Sequence, residues 1–336
     1  MSSLKDLARE CGVSVATVSK ALNGQHDISD ATRARVREAA ERLGYVPNMA
    51  ARSMKTNRTY NLGVLFVDER QSGLGHEYFS AVLDSFKVRV ERLGYDITFI
   101  THNMSRSKMT YLEHCRYRNV DGVCIVCSHF DDGEVLQLVS SSLPLVTIDH
   151  VFNNRACIQS ENRQGVEALT RHVLSMGHKK IAFVYGAEDT VSDIRLTTFL
   201  RTMNEAELSV PDDYLVASPY HDPASTREAT AQLLALADRP TCILMPDDYS
   251  ALGGMDAIRA AGLRIPEDIS ITGYDGVALI QMCQPQLTTV EQDASRIGRE
   301  AARKLVHLIE QPRTTLPEII SVPCRLIAGK TVAKLG

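Results

Sequence analysis

The 336-residue sequence lacks several features that mark membrane, secreted or nucleotide-dependent proteins. No apolar run approaches the ~20 residues that a helix needs to cross a bilayer. The N-terminal MSSLKDLARE lacks the charged-then-apolar design of a secretory signal. Neither a P-loop nor a GxGxxG motif opens a strand–helix unit, which leaves little support for a nucleotide cofactor. We therefore expect a cytoplasmic protein without a membrane segment and without a cofactor.

Cysteine is present, but its spacing does not indicate a disulfide framework or a metal site. The eight cysteines are scattered along the chain, which suits a reducing cytoplasm. Cys124 and Cys127 form a CxxC inside the apolar run GVCIVCS, which reads as a buried strand. Because no second cysteine pair or adjacent histidine follows at ligand spacing, we expect both residues to be core and predict no metal site.

The formal net charge of -4 is unevenly distributed along the chain. Residues 1–58 carry ten Lys or Arg against six Asp or Glu, and the remainder carries 27 basic and 35 acidic residues. A basic head on an acidic body indicates that only the head meets a polyanion. From the charge alone, the alternative is that the charge is uneven but the head binds no polyanion.

The head has the sequence form of a helix-turn-helix. In LKDLARECGVSVATVSKALN, residues 4–23, two apolar stripes at helical spacing are separated at Cys11 and Gly12. Ser14 can cap the second helix. Two short amphipathic helices around a turn with glycine are typical of this DNA-binding motif.

A third helix and a spacer follow the helix-turn-helix. The apolar pattern predicts a helix over 30–43, capped by Ser29 or Asp30 and ended by Gly44. Pro47 then forces a break, and residues 48–54 can form one or two helical turns. Such a short helix is marginal in water, so we expect it to order only when packed or bound.

After Tyr60, short apolar strands alternate with amphipathic helices. This alternation predicts two doubly wound parallel-sheet lobes, with a ligand cleft at the carboxyl ends of the strands. The candidate strands are 62–67, 97–101, 122–127, 145–148, 181–185, 242–245 and 269–273, with a weaker one near 214–217, and helices include 80–93, 163–176 and 250–261.

Over essentially its whole length the chain resembles the LacI/GalR transcriptional repressors. The matching motifs are VSVATVSKALNG, ISDATRARVREAAERLGYVPN, GHKKIAF, IPEDISITGYD and QLTTVEQD, in this order. The resemblance implies an all-α helix-turn-helix head and an α/β body similar to the type I periplasmic binding proteins. The implied domains are a DNA-binding domain over 1–46, a hinge helix and linker over 47–59, and an effector-binding and dimerisation domain over 60–336, with an N-lobe of about 60–160 plus 292–321 and a C-lobe of about 161–291 plus 322–336.

The resemblance assigns roles in DNA recognition to the second helix. Val15, Ala16 and Lys20 occupy the base-reading positions. The two apolar residues favour thymine methyl groups, whereas lysine can donate to guanine O6 and N7. For Val15, core packing is the alternative, and Ser14 can cap its helix as well as contact phosphate. Short polar residues suit phosphate contacts, which position the protein without reading sequence, at Ser14, Thr17, Ser19, Asn23, Ser29 and Thr32.

A second DNA contact is implied for the hinge. In the family a leucine from each hinge helix wedges into the minor groove and kinks the operator. Met54 stands at that position here, and methionine is also known as a wedge. Asn48, Ala51 and Arg52 align with other hinge positions near the minor groove. We expect the Met54→Ala variant to lose operator affinity and to keep effector binding.

The resemblance also places an effector site in the cleft. Asp275 ends the strand block ITGYD, Arg195 lies where the family has a ligand-contacting arginine, and Asp247 follows the strand CILMP. Carboxylates and arginine together suit the hydroxyl groups of a sugar, although a buried Asp–Arg pair that braces the hinge is an alternative. We expect ring side chains to form the walls of this site, with core packing as the alternative. These are His76, Tyr78, Phe79, Tyr220 and His221.

The sequence therefore predicts a repressor rather than an enzyme. We expect a homodimer on an inverted-repeat operator, controlled by a small-molecule effector that is most simply a sugar, with a protein coregulator as a further possible partner. A sugar-active enzyme is the first alternative, since Asp247, Asp248 and Asp275 resemble glycosidase carboxylates, but no nucleophile or base motif accompanies them. A solute-binding protein is the second, and the basic head counts against it.

Overall fold

In the computed structural model the chain divides into two compact units, residues 1–59 and residues 60–336. They are called the head and the body below. None of the described helices is long and apolar enough to cross a membrane. The structure describes residues 3–22, 25, 27–45, 58–67, 73–104, 107–186, 189–278 and 280–336.

The head contains the predicted helix-turn-helix. Helix α1 spans Leu4–Cys11, α2 spans Val15–Leu22 and α3 spans Asp30–Arg42. The two apolar stripes meet in a small core in which Leu7 of α1 and Val18 of α2 are fully buried with Val36 of α3. Burial of these stripes, rather than helix propensity, stabilises such short helices.

Polar side chains define where the head helices begin. Ser3 and Asp6 form a reciprocal capping box at α1. The Ser14 hydroxyl accepts from the Thr17 amide at 3.0 Å, so the predicted cap of α2 is confirmed. Of the two candidate caps for α3, Ser29 is the one used, and its hydroxyl accepts from the Thr32 amide at 3.3 Å. These caps satisfy amides that have no partner inside a helix.

The body is built from alternating strands and helices. Its strands are β1 Asn61–Phe66, β2 Asp96–Ile100, β3 Asn103–Met104, β4 Ser107–Lys108, β5 Gly122–Cys127, β6 Leu145–Ile148, β7 Ala156–Ser160, β8 Ile181–Tyr185, β9 Leu215–Ala217, β10 Cys242–Leu244, β11 Ser270–Thr272, β12 Thr289–Gln292, β13 Ile319–Val322 and β14 Cys324–Ile327. Its helices are α4 Glu77–Arg92, α5 Tyr111–Tyr117, α6 Gly133–Ser140, α7 Asn162–Ser175, α8 Thr190–Glu205, α9 Pro223–Leu234, α10 Asp248–Ala260 and α11 Ala294–Glu310, with 3-10 turns at Gly73–Gly75, Asp212–Tyr214 and Ile280–Met282.

Two parallel sheets form the centres of the lobes, which confirms the predicted fold class. The N-lobe sheet has six strands in the order β13-β7-β6-β5-β1-β2, and the C-lobe sheet has four in the order β11-β10-β8-β9. Every pairing within these two sheets is parallel. Central strands such as β5 are buried along nearly their whole length, as expected when helices cover both faces.

Helices α4 and α11 cover one face of the N-lobe sheet and pack closely on each other. Ile297, Ala301 and Leu305 of α11 repeat at helical spacing and are fully buried. A Cβ atom at Gly298 would overlap the Val82 carbonyl and the Ser85 hydroxyl of α4, so this close approach requires glycine.

The chain passes between the lobes after β7, after β12 and after β13. Strands β12 and β14 pair antiparallel where these connections run side by side. Strand β7 was absent from the predicted strands, as were β12 and β13. Because these strands are short and include polar residues such as Gln159 and Ser321, their apolar pattern is weak.

Candidate DNA-reading surface and effector cleft

Helix α2 of the head presents one face to the core and the opposite face to solvent. Val18 and Ala21 are fully buried, whereas Ser14 and Ala16 are exposed and Val15 is 41% exposed. An apolar side chain exposed at the start of a helix can contact thymine methyl groups in the major groove. The placement of Val15 therefore disagrees with its core alternative.

Lys20, the polar member of the proposed base-reading set, is engaged within the head. Its Nζ lies 2.5 Å from Oδ2 of Asp27. Both side chains are partly exposed, and the hydrogen bond from Lys20 lowers the pKa of the Asp27 carboxyl.

The proposed phosphate contacts cluster at two helix starts. At α2 the hydroxyls of Ser14 and Thr17 are 2.9 Å apart, and at α3 the Ser29 hydroxyl donates to Thr32 Oγ1 at 2.9 Å. Helix N-termini favour anions, so both clusters suit phosphate oxygens. Ser19 is half-buried in α2. The proposed contacts Asn23, Asn48, Ala51, Arg52 and Met54 lie outside the described residues.

A cleft of about 780 Å³ lies between the two lobes of the body. Its lining includes residues that follow the carboxyl ends of strands, such as Val67 after β1, Asp149 after β6 and Asp275 after β11. This is where ligands bind in parallel α/β sheets. The cleft brings together most of the effector residues predicted from the sequence, namely His76, Tyr78, Phe79, Arg195, Tyr220 and Asp275.

Arg195 on α8 is the buried cation of the cleft, only 6% exposed. Its Nε donates to Asn162 Oδ1 at 2.8 Å and its Nη1 to the Pro246 carbonyl at 3.0 Å. The guanidinium carbon lies 3.7 Å from the centre of the Tyr274 ring. These contacts fix the planar group in one orientation, which is how arginine presents a defined hydrogen-bonding edge to a ligand.

Asp275 lies at the floor of the cleft in a left-handed backbone conformation, with φ of 105°. Its Oδ1 accepts from Gln292 Nε2 at 2.6 Å, and its Oδ2 is 3.8 Å from His221 Nε2. Burial raises the pKa of Asp275 well above its usual value, and the carboxylates of Asp247 and Asp248 raise it further. Within the described part of the chain, Gln292 Oε1 is buried without a hydrogen-bond partner.

Asp149 is the corresponding carboxylate of the N-lobe and was not predicted. It accepts from the Tyr78 hydroxyl and from the Ser160 amide, both at 2.8 Å. Burial raises its pKa, although these two hydrogen bonds oppose the increase. The usable signal in the sequence was a polar residue directly after the buried strand LVTI, just as Asp275 ends the strand block ITGYD.

Asp247 was predicted to bind the effector, but it does not line the cleft in the described structure. Its carboxylate caps α10 by accepting from the Ser250 amide at 2.8 Å and also accepts from the His221 amide at 2.8 Å. Asp247 therefore holds His221, whose ring lies 3.6 Å from that of His76 across the cleft.

Aromatic side chains form the N-lobe wall. Phe130 and His150 stack with ring centres 4.1 Å apart and an interplanar angle of 5°, and burial lowers the pKa of His150. Phe79, which was predicted, packs against Phe66 and His76. The Phe130–His150 wall was missed because nothing in the sequence relates a loop after β5 to a loop after β6.

The CxxC residues occupy different environments. Cys124 is buried in β5 as predicted, but Cys127 is half-buried and lines the cleft. In the described structure no group of three or more His, Cys, Asp or Glu side chains is arranged to hold a metal ion.

Family models match the head and part of the body separately. Residues 3–48 match the family model described as bacterial regulatory proteins, lacI family, and residues 170–332 match a periplasmic binding protein-like domain. The chain is 32% identical to the HTH-type transcriptional repressor PurR of Haemophilus influenzae over the full length of both proteins. The chain belongs to the LacI family of DNA-binding transcriptional repressors. It is also 31% identical to PurR of Mannheimia succiniciproducens, again over the full length of both.

Solved structures of this family share the fold of the whole chain. The lac repressor dimer bound to operator and the anti-inducer ONPF is 25% identical, with a TM-score of 0.81 over 99% of both chains. The complex of the transcriptional regulator CelR with cellobiose, at 24% identity, covers 98% of this chain and 100% of its own with a TM-score of 0.72, which shows likeness of fold. These relatives are regulators and not enzymes, so the glycosidase alternative is wrong for this chain.

Proposed function

We propose that this repressor binds an inverted-repeat operator as a homodimer and that an uncharged sugar in the cleft controls its operator affinity. The observation that carries the proposal is that Arg195, a fixed donor, lines the same cleft as two buried polar side chains, Asp275 and Gln292. A pyranose presents neighbouring hydroxyl groups that donate and accept at fixed angles, which matches such a set.

In the head, we propose that Val15, Ala16 and Lys20 read bases in the major groove. Val15 and Ala16 are exposed and Lys20 is partly exposed, which supports this role. The phosphate contacts would come from Ser14, Thr17, Ser19, Asn23, Ser29 and Thr32. One head reads too little sequence for a unique genomic site, and a symmetric dimer doubles it. The lac repressor structure, a dimer on its operator, supports the same assembly here.

For the hinge, Met54 is proposed as the minor-groove wedge, with Asn48, Ala51 and Arg52 beside it. Methionine supplies the apolar surface that a wedge needs. The Met54→Ala variant is expected to lose operator affinity while the body keeps its ligand affinity. An operator dissociation constant equal to that of the wild type would remove this role from Met54.

The charge of the cleft supports an uncharged sugar over a phosphorylated one. Arg195 is the single Lys or Arg among the described lining residues, and its Nε and Nη1 already bind protein acceptors. A phosphate would face several carboxylates with little compensation, and unpaired charge is costly in a partly buried site. The lining carboxylates are Asp131, Asp149, Asp189, Asp193 and Asp275.

The cleft offers polar and aromatic contacts from both lobes. Asp149 and the Phe130–His150 wall belong to the N-lobe, and Arg195 and Asp275 to the C-lobe. A ligand that bridges them favours one closure of the lobes. By linkage it changes operator affinity by the same factor by which the operator changes ligand affinity. Because the operator lies on chromosomal DNA, we place this control in the cytoplasm.

A thermal-shift panel of matched sugars and sugar phosphates tests the proposed ligand class. Binding to the native state raises its melting temperature in proportion to occupancy. We expect an uncharged mono- or oligosaccharide to raise the melting temperature of the body and its phosphate ester to have no effect. A shift by phosphate esters alone would refute the ligand class, and silence across the panel would refute a sugar and favour a protein coregulator or a ligand of another class.

A further inference from the structure

The Lys20–Asp27 pair is preformed in the head by contacts that do not involve DNA. The Gln25 amide donates to the Lys20 carbonyl at 3.1 Å, which ties Gln25 to the last turn of α2. Arg33 Nη2 donates to the Gln25 carbonyl at 3.1 Å, before Asp27, and to the Ile28 carbonyl at 3.2 Å, directly after it. The backbone on both sides of Asp27 is thus anchored, and its carboxylate is held beside Lys20.

Other acidic side chains of the head pair with groups that have no proposed contact to bases. Asp30 pairs with Arg33 at 2.9 Å, and Glu10 pairs with Arg42 at 2.6 Å. Asp27 differs because its partner is the proposed guanine-reading lysine. Its charge therefore lies directly beside a proposed base-reading side chain.

We infer that Asp27 is a specificity-determining residue, which restrains Lys20 from sequence-independent phosphate contacts; this inference rests on the proposed base-reading role of Lys20. Attraction to phosphate supplies nearly all non-specific DNA binding. The carboxylate of Asp27 neutralises Lys20 and repels phosphates. At the correct site, guanine O6 and N7 offer acceptors in a fixed geometry that compete for the ammonium group. Asp27 therefore weakens non-specific binding more than specific binding.

The Asp27→Asn variant of the full-length protein tests this inference. Two DNA probes are compared by fluorescence anisotropy over a salt series: a random-sequence duplex, and a duplex that the wild type has selected from a random library. We expect the variant to bind the random duplex about twofold to fivefold more tightly per head, the value of an exposed ion pair. The slope of log affinity against log salt should steepen by about 0.9 per head, for one added phosphate contact. Affinity for the selected duplex should rise less, so the specificity ratio falls.

Two control variants separate release of Lys20 from a change in net charge. Asp30→Asn removes the same charge from a residue whose partner is Arg33, and we expect a smaller gain on the random duplex. In a Lys20→Ala background, the Asp27→Asn substitution should lose most of its effect. Equal gains for Asp27→Asn and Asp30→Asn, or a full effect without Lys20, would overturn the inference.

Failure of the underlying base-reading role gives a different result. Lys20→Ala alone should lose affinity for the selected duplex, and an unchanged affinity would reject base reading by Lys20. No gain on the random duplex for Asp27→Asn, with a normal melting transition of the head, would reject the role of Asp27 alone.

Discussion

The head and the body hold their proposed binding residues in opposite environments. Val15 and Ala16 of the head are exposed on one face of a short helix. Arg195 and Asp275 of the body are buried and come from segments far apart in the chain. The head therefore presents a solvated surface whose chemistry can change without loss of the fold. The cleft is a buried polar network, in which binding and stability depend on the same contacts.

The largest expected difference between the two units is their response to the same core substitution. Leu7 in the head and Leu138 in the body are both fully buried, and Leu→Ala costs about 2–5 kcal/mol at such sites. The small core of the head cannot absorb this loss, whereas the large body can. We expect Leu7→Ala to abolish operator binding with an unchanged body melting transition.

The matched variant Leu138→Ala should lower the melting temperature of the body and leave operator binding measurable. Calorimetry and an operator titration check both variants. Operator binding at wild-type affinity by Leu7→Ala would contradict the view of the head as a marginal unit.

A buried carboxyl group should make the stability of the body depend on pH. Burial raises the pKa of Asp248 to about 7, although the carboxylate accepts from Thr289 Oγ1 at 2.5 Å and from the Val277 amide at 2.7 Å. Because the folded pKa lies above the unfolded one, the stabilising contribution is complete below about pH 4 and is lost as pH rises through about 7. We expect its loss to lower the free energy of unfolding of the body by about 3 kcal/mol between those limits.

Asp248→Asn removes this titration and keeps the shape of the side chain. We expect the variant to melt at a higher temperature than the wild type at pH 8, with a shallower decline between pH 5 and pH 8. The transition of the head is the internal control. Parallel pH profiles for wild type and variant would show that Asp248 stays ionised in the folded body.

In the cleft, Arg195→Met should remove the fixed donor edge. A hydrogen bond from a charged group contributes about 1.5–3 kcal/mol, so we expect sugar affinity to fall about tenfold to a hundredfold. Arg171→Met is the matched control, since Arg171 lies on the surface of the same lobe and pairs with Glu167 and Glu205. Calorimetric titration with the sugar found by thermal shift measures both. Equal affinities for the two variants would remove Arg195 from the ligand site.

The smallest expected effects come from two matched substitutions at helix caps of the head. Ser3→Ala and Ser29→Ala each remove a hydroxyl that accepts from a helix amide at 3.3 Å. Each should lower the stability of the head by about 1 kcal/mol. Only Ser29 is a proposed phosphate contact, so only Ser29→Ala should lose operator affinity beyond the loss of stability. Equal affinities in the two variants would leave Ser29 as a cap alone.

The helices of the head and most strands of the body could be predicted from the sequence because their signals are local. The stripes around Gly12, the cap at Ser14 and the buried run of β5 each lie within a few residues. Short strands such as β7 were missed, since their partly polar residues gain their burial only from neighbours distant in the chain.

The cleft was predicted less completely because tertiary packing assembles it. Asp275 and Arg195 were found through the resemblance, and the structure places both in the lining. Gln292 lies within a matching motif, yet only the fold brings it to Asp275. Asp247 was expected in the lining because it follows a strand. In the structure its carboxylate instead caps a helix and accepts from the His221 amide.

The central claim is that occupancy of the cleft controls operator affinity. The most direct measurement is an anisotropy titration of the selected operator with and without saturating sugar, on wild type and on Arg195→Met. We predict that the sugar changes the operator affinity of the wild type about fivefold or more, and that this change is lost in the variant at the same sugar concentration. An operator affinity that the sugar leaves unchanged in the wild type, despite its binding to the body, would contradict the claim.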